Sequence, residues 1–164
     1  KNGNTLENLK WGIVPGWAKK KDFKALINAR LETIDEKVSF KKLIKLHRCV
    51  AVADGFYEWK REEKSKIPHY FLREDRKIMY IAGIYENNEF CLITEEASKN
   101  VYEIHHRQPV ILNETDVNRY LNLELSGSDF LKKCKKTNLT FYEISKDVNK
   151  PTNNSISLIQ EMKN

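Results

Sequence analysis

Residues 49–60 read Cys-Val-Ala-Val-Ala-Asp-Gly-Phe-Tyr-Glu-Trp-Lys, and this stretch predicts two consecutive β-strands, at residues 49–53 and 56–60. The first is a continuous apolar run, which is typical of a buried strand. Side chains alternate between the two faces of a strand. One face of the second strand is therefore expected to carry Phe56, Glu58 and Lys60, and the other Tyr57 and Trp59. The stretch sets the Glu58 carboxylate among three aromatic rings.

Glu58 is the residue of this stretch with potential chemistry. A carboxylate flanked by apolar rings is poorly solvated in its charged form, and that suits it to proton transfer near neutral pH. The alternative is a strand end at which Glu58 pairs with a neighbouring Lys or Arg. Taken alone, the stretch favours the ion pair. Two further polar clusters shift the interpretation towards proton transfer.

The remaining predicted elements give the fold class. Apolar runs and alternation predict further strands at residues 27–33, 69–73, 78–85, 90–94, 109–112 and 140–144. Helices are predicted at residues 39–48, 97–104, 113–121, 128–136 and 156–162, with Ser39 and Asn113 in capping positions. The strands cluster in the middle of the chain, without a βαβ rhythm. The sequence therefore predicts an α+β fold with a mixed, largely antiparallel sheet or barrel-like core and interspersed short helices.

Length and composition limit the class of protein. The 164 residues show no internal repeat or linker, so we expect a single domain over residues 1–164. The formal net charge of +6 favours an anionic partner, of which nucleic acid is the commonest. No apolar run approaches the roughly 20 residues of a membrane span, so we expect no membrane partner. Three widely spaced cysteines without a Cys-x-x-Cys pair favour the reducing cytoplasm over a disulfide framework or a zinc site.

Two polar clusters lie far from Glu58 in the sequence. Residues 28–33 (Asn-Ala-Arg-Leu-Glu-Thr) set an amide, Asn28, and a guanidinium suited to phosphate, Arg30, on one strand face. The alternative is an exposed face with an Arg30–Glu32 contact. Residues 104–110 (Ile-His-His-Arg-Gln-Pro-Val) set His105 just before a buried strand, as an acid or base or as a structural histidine. His105 and His106 have no third ligand at a suitable spacing, so no metal site is predicted.

Residues 11–17 (Trp-Gly-Ile-Val-Pro-Gly-Trp) predict a loop bounded by two indole rings, with a turn at Pro15-Gly16. A flat ring exposed near positive charge can stack on unpaired bases, and each stack is worth about 1–3 kcal/mol. Trp17, which is followed by Ala18 and three lysines, is the better candidate for exposure. For Trp11, which precedes an apolar run, burial is equally favoured.

Together these clusters resemble the SOS response-associated peptidase (SRAP) family, whose members shield abasic sites in single-stranded DNA. The similarity covers residues 11–17, 28–33, 48–59 and 104–112, together with Thr94 and a tail that carries Ser145, Val148, Asn149 and Leu158-Ile159. These separated motifs follow the family's order over nearly the whole chain. The combination is far more specific than any single short pattern.

The resemblance implies a covalent chemistry. In the family, removal of the initiator Met exposes an N-terminal Cys, whose amine and thiol condense with the aldehyde of an abasic site to form a thiazolidine DNA–protein crosslink. By position, Asn28 orients that Cys, Glu58 is the acid/base for imine formation and sugar-ring opening, and His105 exchanges protons with the sugar and in crosslink reversal. These three groups are expected to converge, without a cofactor. The implied DNA-binding residues are Trp17, Arg30, Trp59, Thr94 and Arg107.

The sequence also departs from the family pattern. Nothing before Trp11 resembles the family's N-terminal Cys-Gly-Arg segment, so we expect that segment to be missing and the chain as given to lack crosslinking activity. Other departures are His106 where an acidic residue is usual, Gln108 where Met is common, and Ala18 where some members have a second Trp.

Two alternative functions follow from these departures. The first is a non-catalytic single-stranded DNA-binding module. The second, ranked last, is a hydrolase that uses Glu58 and His105 on another class of substrate. For the family function, the expected state is a monomer associated with the nucleoid when it is bound to DNA.

Overall fold

The computed structural model describes residues 5–18, 22–63, 65–122 and 126–162. These residues fall into two compact units. The first unit comprises the described residues within Lys1–Val52, Tyr80–Glu95 and Pro109–Lys136, and the second those within Ala53–Met79, Glu96–Gln108 and Thr137–Asn164. The expected single domain over residues 1–164 stays a prediction.

Strands make up most of the regular structure in the described part of the chain. They are β1 (Lys10–Trp11), β2 (Asn28–Arg30), β3 (Arg48–Ala53), β4 (Phe56–Arg61), β5 (Lys66–Arg73), β6 (Met79–Glu86), β7 (Glu89–Glu96), β8 (Arg107–Pro109), β9 (Ile111–Leu112) and β10 (Leu139–Glu143). The α-helices are α1 (Leu43–Leu46), α2 (Lys99–Tyr102), α3 (Glu114–Leu121) and α4 (Gly127–Lys133). Short 3₁₀ turns cover Gly16–Ala18, Lys146–Asn149 and Ile156–Ile159.

The sheet of the first unit is built around β7. On one edge, β6 pairs with β7 in antiparallel fashion through a tight turn in which Asn87 has a φ of 56°. Strand β3 lies beyond β6, and β9 pairs with the start of β6. On the other edge, β1 and then β2 run parallel to β7. The sheet is therefore mixed, and β7 aligns two segments of the chain, which also pair with each other at Ile13 and Leu26.

The core of the first unit lies between this sheet and helices α1, α3 and α4. Tyr120 of α3 is completely buried, and its hydroxyl donates a 2.9 Å hydrogen bond to the Gly83 carbonyl of β6. The buried apolar side chains of this core are Ile13, Ala29, Leu31, Ile34, Phe40, Leu43, Ile44, Ala82, Ile84, Cys91, Ile93, Val110, Leu112, Tyr120, Phe130 and Leu131.

The second unit contains an antiparallel sheet in the order β10-β5-β4. Its register aligns side chains of the same type in rows across the three strands. Phe56, Phe71 and Phe141 form one row with ring centroids 4.9 Å apart in both pairs, and Tyr57, Tyr70 and Tyr142 form the next. Because neighbouring residues point to opposite faces, the two rows lie on opposite sides of the sheet. This confirms the predicted separation of Phe56 and Glu58 from Tyr57 and Trp59.

The predicted α+β class and mixed sheets are confirmed, but several predicted elements are too long. Strand 27–33 ends at Arg30, because the chain turns after Leu31 donates its N–H to the Thr94 carbonyl. Helix 39–48 is reduced to Leu43–Leu46, because the preceding backbone hydrogen bonds mix three- and four-residue spacings. The last predicted helix is a single 3₁₀ turn. Among the described residues, none of the helices is long and apolar enough to cross a membrane.

Candidate functional site

Glu58 lies in the middle of β4, opposite His69 of β5. Its side chain is 28% exposed, so it is shielded by its surroundings but reachable from solvent. One oxygen, Oε1, accepts a 3.1 Å hydrogen bond from the backbone N–H of Trp59. The other oxygen, Oε2, lies 3.6 Å from Nδ1 of His105. In the described contacts Glu58 thus faces an imidazole, and not the Lys or Arg of the alternative interpretation.

His105 lies between helix α2 and strand β8, as the sequence predicted. Its ring is 25% exposed, and its backbone N–H donates to the Val101 carbonyl at 3.0 Å. The Nδ1 atom lies 3.2 Å from the backbone nitrogen of Arg107 and 3.1 Å from the Arg107 carbonyl oxygen. The next side chain, His106, packs its ring 4.5 Å from the His105 ring.

These contacts give Nδ1 of His105 a partner in either protonation state. Without a proton, Nδ1 accepts from the Arg107 N–H. With a proton, it donates to the Arg107 carbonyl and faces the Glu58 carboxylate. An imidazole that is satisfied in both states, beside a carboxylate, is equipped for reversible proton transfer.

Gln108 fixes the segment that follows His105, a role that sequence reasoning missed. The side chain is buried, and its Oε1 accepts hydrogen bonds from the Ser98 N–H at 2.8 Å and the Ser98 hydroxyl at 3.0 Å. These bonds connect the start of α2 to β8, on the two sides of His105. The sequence showed Gln108 only as a departure from the family pattern, and its spacing carries no signal for this contact.

Asp54 and Gly55 determine how β4 begins, just before Glu58. The Tyr70 hydroxyl is hydrogen-bonded to Asp54, and burial, together with the Asp54 charge, raises the pKa of that phenol above its ordinary value. Gly55 lies directly under the Tyr70 ring, where a Cβ atom would come within 2.4 Å of Cζ. This part of the motif is explained by packing, whereas Glu58 is not.

Trp59, a predicted DNA contact, is half-buried on the opposite face of β4. Its Nε1–H donates a 2.8 Å hydrogen bond to Oδ1 of Asn149. Asn149 belongs to the tail motif that carries the family resemblance, and this contact is a function for it that the sequence did not reveal. The bond holds the indole ring in one orientation.

In the first unit, β2 and β7 bring together Asn28, Arg30 and Thr94. Arg30 is paired with Thr94 in the register, and Asn28 is two residues earlier on the same strand. Both Asn28 and Arg30 are exposed, while Ala29 between them is completely buried. The expected strand face is therefore present, with an amide and a guanidinium directed to solvent. Glu32, expected on the same face, lies instead in the turn after β2.

Both tryptophans of the predicted loop are exposed. Trp17 is 58% exposed in a 3₁₀ turn, with its ring 5.4 Å from that of Phe23 in an edge-on contact. Trp11 is 53% exposed, so the alternative of a buried Trp11 is wrong. The three lysines at positions 19–21 lie outside the described residues.

The structure thus brings Glu58 and His105 together within the second unit, which also holds Trp59 and Arg107. Within the first unit it brings Asn28, Arg30 and Thr94 together. The convergence of Asn28 with the other two catalytic candidates stays a prediction, as do the individual site assignments.

Comparison with known proteins gives consistent results. The family model described as SOS response associated peptidase (SRAP) matches residues 1–151. The abasic site processing protein YoqW of Bacillus subtilis (strain 168) is 36% identical over 174 residues, which cover 97% of this chain and 78% of the relative. The abasic site processing protein YedK of Escherichia coli (strain K12) is 30% identical over 168 residues, which cover 94% of this chain and 74% of YedK.

Similarity extends to eukaryotic proteins and to solved structures. The abasic site processing protein HMCES of Pongo abelii is 32% identical over 191 residues, which cover 90% of this chain and 54% of HMCES. A crystal structure of a Bacteroides thetaiotaomicron protein matches with a TM-score of 0.80 and 28% identity, and covers 94% of this chain and 76% of that protein.

Proposed function

The chain belongs to the SOS response associated peptidase (SRAP) family, and from this premise we propose that it processes abasic sites in single-stranded DNA. The relatives that cover most of the chain are named for this activity. The observation that carries the proposal on this chain's own residues is the Glu58–His105 pair, with Oε2 and Nδ1 3.6 Å apart. A carboxylate and an imidazole in contact are the groups that reversible addition to an aldehyde requires.

The proposed reaction starts from the ring-opened sugar of an abasic site, which carries a free aldehyde. The α-amine of an N-terminal Cys, exposed by removal of the initiator Met, adds to the aldehyde carbon to give a carbinolamine. Loss of water gives an imine, and the thiol of the same Cys then adds to the imine carbon to close a thiazolidine. A new C–N bond and a new C–S bond form, and the aldehyde oxygen leaves as water. Cys49, Cys91 and Cys134 are not assigned this role, because each lies within the chain and its nitrogen is part of a peptide bond.

We assign proton transfer in these steps to Glu58 and His105. Expulsion of water from the carbinolamine needs an acid, and sugar-ring opening needs an acid on the ring oxygen and a base on the C1 hydroxyl. His105 suits the exchange of protons with the sugar, because its Nδ1 has a hydrogen-bond partner in both protonation states. The same proton transfers, run backwards, would release the DNA.

The remaining assignments concern binding and orientation. Asn28 is proposed to hold the N-terminal Cys, because a side-chain amide can donate to one group and accept from another. Arg30 and Arg107 are proposed to contact phosphates, and Thr94, next to Arg30 in the register, the same backbone. Trp17 and Trp59 are proposed to contact bases beside the abasic site.

A non-catalytic single-stranded DNA-binding module is the second candidate. It is supported by the exposure of Trp17 and by Arg30 on an open sheet face, because stacking and phosphate contacts need no proton transfer. In that case Glu58 and His105 would have a structural role only. The two candidates differ in whether a covalent product forms.

The test uses protein expressed from a reading frame that begins Met-Cys ahead of this sequence, incubated with a single-stranded oligonucleotide containing one abasic site. We expect an adduct that survives denaturing electrophoresis. Glu58→Gln and His105→Gln should each slow its formation by about 10²–10⁴-fold, the usual contribution of acid–base catalysis. A Cys→Ser change at the N-terminus should abolish it.

Binding separates the two candidates. Both catalytic variants should bind the oligonucleotide as tightly as the wild type at a fixed salt concentration, because they remove proton transfer and leave the phosphate contacts. Unchanged adduct formation in Glu58→Gln would show that the assigned roles are wrong. Tight binding by the wild type without any adduct would support the non-catalytic module.

A further inference from the structure

Strand β7 places three exposed side chains in a line on one face of the first unit's sheet. Trp11 is opposite Phe90, Asn28 opposite Leu92 and Arg30 opposite Thr94. Positions 90, 92 and 94 point to the same face, because side chains alternate along a strand, and paired residues share a face. Trp11, Asn28 and Arg30, called here the β7 row, therefore follow one another at intervals of roughly 7 Å.

The indole ring of Trp11 is held in place directly beside Asn28. Its Nε1–H donates a 2.9 Å hydrogen bond to the carbonyl of Ile27, the residue that precedes Asn28. The hydrogen bond satisfies the ring's polar group, yet the residue remains 53% exposed. An oriented, exposed indole is ready to bind a flat ligand, because little further entropy is lost on binding.

Gly12 explains how Trp11 reaches this position. It has a φ of +115°, a conformation that side chains other than glycine rarely adopt, and a Cβ there would come within 3.0 Å of the Ala25 Cβ. The backbone can therefore turn tightly after Trp11 and bring the segment that precedes Asn28 close to the indole. The position of the ring is determined by the fold of this segment.

The chemistry of the β7 row matches a short piece of single-stranded nucleic acid. Trp11 offers a flat apolar surface for a base, and Arg30 offers a planar cation for a phosphate. Asn28 between them is the residue proposed to hold the N-terminal Cys that reacts with the abasic nucleotide. A protein partner would also be attracted to an exposed indole, but the guanidinium in line and the net charge of +6 favour a polyanion.

We propose that Trp11 stacks on the intact base next to the abasic nucleotide, and that this stack helps to position the baseless sugar at Asn28. The proposal rests on the proposed function, since it assumes DNA with an abasic site as the ligand. An abasic nucleotide has no base of its own to recognise, so contacts with its neighbours have to fix its position. A stack on one side and a phosphate contact on the other would do so.

Two matched variants isolate the stacking surface. Trp11→Phe and Trp11→Leu both lose the hydrogen bond to Ile27, but only Phe retains an aromatic face. Each is tested for equilibrium binding by fluorescence anisotropy, with a strand that contains a stable tetrahydrofuran analogue of the abasic site, so that no covalent step interferes. Leu46→Ala, which truncates an exposed apolar side chain in the same unit, is the control. Urea unfolding verifies that each variant is folded.

The DNA oligonucleotide is varied in the same experiment as the protein. In two further oligonucleotides, the base on the 5′ side or the base on the 3′ side of the analogue is also removed. For the wild type, removal of one of these bases should weaken binding on the order of 10-fold, the size of one base–aromatic stack. Trp11→Leu should bind the complete strand on the order of 10-fold more weakly and show no further loss when that base is removed. Binding by Trp11→Phe and by Leu46→Ala should still weaken when that base is removed.

The outcomes separate this proposal from the proposed function. If base removal weakens the wild type and Trp11→Leu by equal factors, Trp11 does not contact the base and the stacking proposal is wrong, while abasic-site binding stands. If the wild type fails to bind the analogue-containing strand, the proposed function fails and the stacking proposal fails with it.

Discussion

At the scale of single residues, Gly55 shows how closely the second sheet is packed around the start of β4. A Cβ at this position would lie 2.4 Å from the Phe71 carbonyl oxygen, 2.4 Å from Tyr70 Cζ and 2.5 Å from the Tyr70 hydroxyl. The Tyr70 ring cannot move aside freely, because its hydroxyl is hydrogen-bonded to Asp54. The glycine next to the candidate acid is therefore required by packing, whatever the chemistry of Glu58.

We expect Gly55→Ala to lower the free energy of unfolding by about 1–3 kcal/mol, because the added methyl group overpacks a backbone carbonyl and a tethered ring. Urea denaturation followed by tryptophan fluorescence measures the change. Gly16→Ala is the control, because no atom in the described part of the chain lies within 4 Å of a Cβ placed there. Its effect should stay within about 0.5 kcal/mol. Equal losses in the two variants would contradict the packing argument.

The cysteine thiols are a second feature at this scale. Burial raises the pKa of Cys49 and of Cys91 to about 12, and that of Cys134 to about 11. The thiolate is the reactive form, so at pH 8 the folded protein holds about a thousandfold less thiolate at Cys49 and Cys91 than an unfolded chain. These thiols should therefore be poor nucleophiles in the folded state.

We expect iodoacetamide at pH 8 to label Cys49 and Cys91 at least a hundredfold more slowly in the native protein than in 8 M urea, where exposure restores the ordinary thiol pKa. Peptide mass spectrometry over time measures the labelling at each position. The native labelling of Cys134 should be slowed by a smaller factor, because the pKa of its thiol is raised less. Rapid native labelling of Cys91 would show that the strand around it opens readily.

At the scale of elements, helix α3 is attached to the first unit's sheet by one buried residue. Tyr120 donates its hydroxyl hydrogen to the Gly83 carbonyl of β6, and its ring lies 5.4 Å from the Arg48 guanidinium. Arg48 in turn donates from its Nη1 to the Tyr120 carbonyl at 3.0 Å. Polar contacts inside the apolar core thus connect helix α3 to strand β6 and to the start of β3.

Tyr120→Phe should lower the free energy of unfolding by about 1–2 kcal/mol, because it removes one buried hydrogen bond with almost no change in volume. The control is Tyr102→Phe, the same change at a tyrosine that is 58% exposed, with an expected effect within about 0.5 kcal/mol. Thermal and urea unfolding of the two variants provide the comparison. If Tyr120→Phe left the free energy of unfolding unchanged, another donor would have to satisfy the Gly83 carbonyl.

The sequence was a better guide to strands than to helices, for a physical reason. The strand at 56–60 was predictable because alternation is a local property. Each face of β4 contributes to its own row of aromatic side chains, Phe on one face and Tyr on the other. Helix 39–48 was predicted too long, because Phe40, Leu43 and Ile44 are buried as expected but the turns before Leu43 are irregular.

The candidate site was less predictable than the strands. The contact between Glu58 and His105 depends on tertiary structure, so no spacing in the sequence indicates it, and only the family resemblance connected the two residues. The exposure of Trp11 likewise depends on its pairing with β7.

At the scale of the whole molecule, buried weak acids make the folded state sensitive to alkali. Burial raises the pKa of the Cys49, Cys91, Tyr70 and Tyr120 side chains, so each keeps its proton to a higher pH in the folded chain than in the unfolded one. Where only the unfolded chain has lost the proton, rising pH favours unfolding. The contribution of the two thiols is therefore complete below about pH 8 and that of the two phenols below about pH 9, and each declines at higher pH.

We expect the free energy of unfolding to fall between pH 9 and pH 11, by up to about 1.4 kcal/mol per pH unit for each such group. Urea midpoints measured at pH 8, 9.5 and 10.5 test this. Cys91→Ala should be less stable at every pH, because it leaves a cavity, but its decline should be shallower. A profile for the wild type that is flat to pH 11 would contradict the burial of these acids.

The parallel pairing of β2 with β7 has one more consequence. The loop between Ile13 and Leu26 can change its length without moving Trp11 or Asn28, since both are positioned by β7 and by the reciprocal backbone hydrogen bonds of Ile13 and Leu26 that close the loop. A shift of β2 by one residue would instead turn the amide and the guanidinium towards the core and push the methyl group of Ala29 into water. A shift by two would keep the polar face outward but move Arg30 to the place of Asn28, so an altered register could abolish chemistry in a chain that still folds.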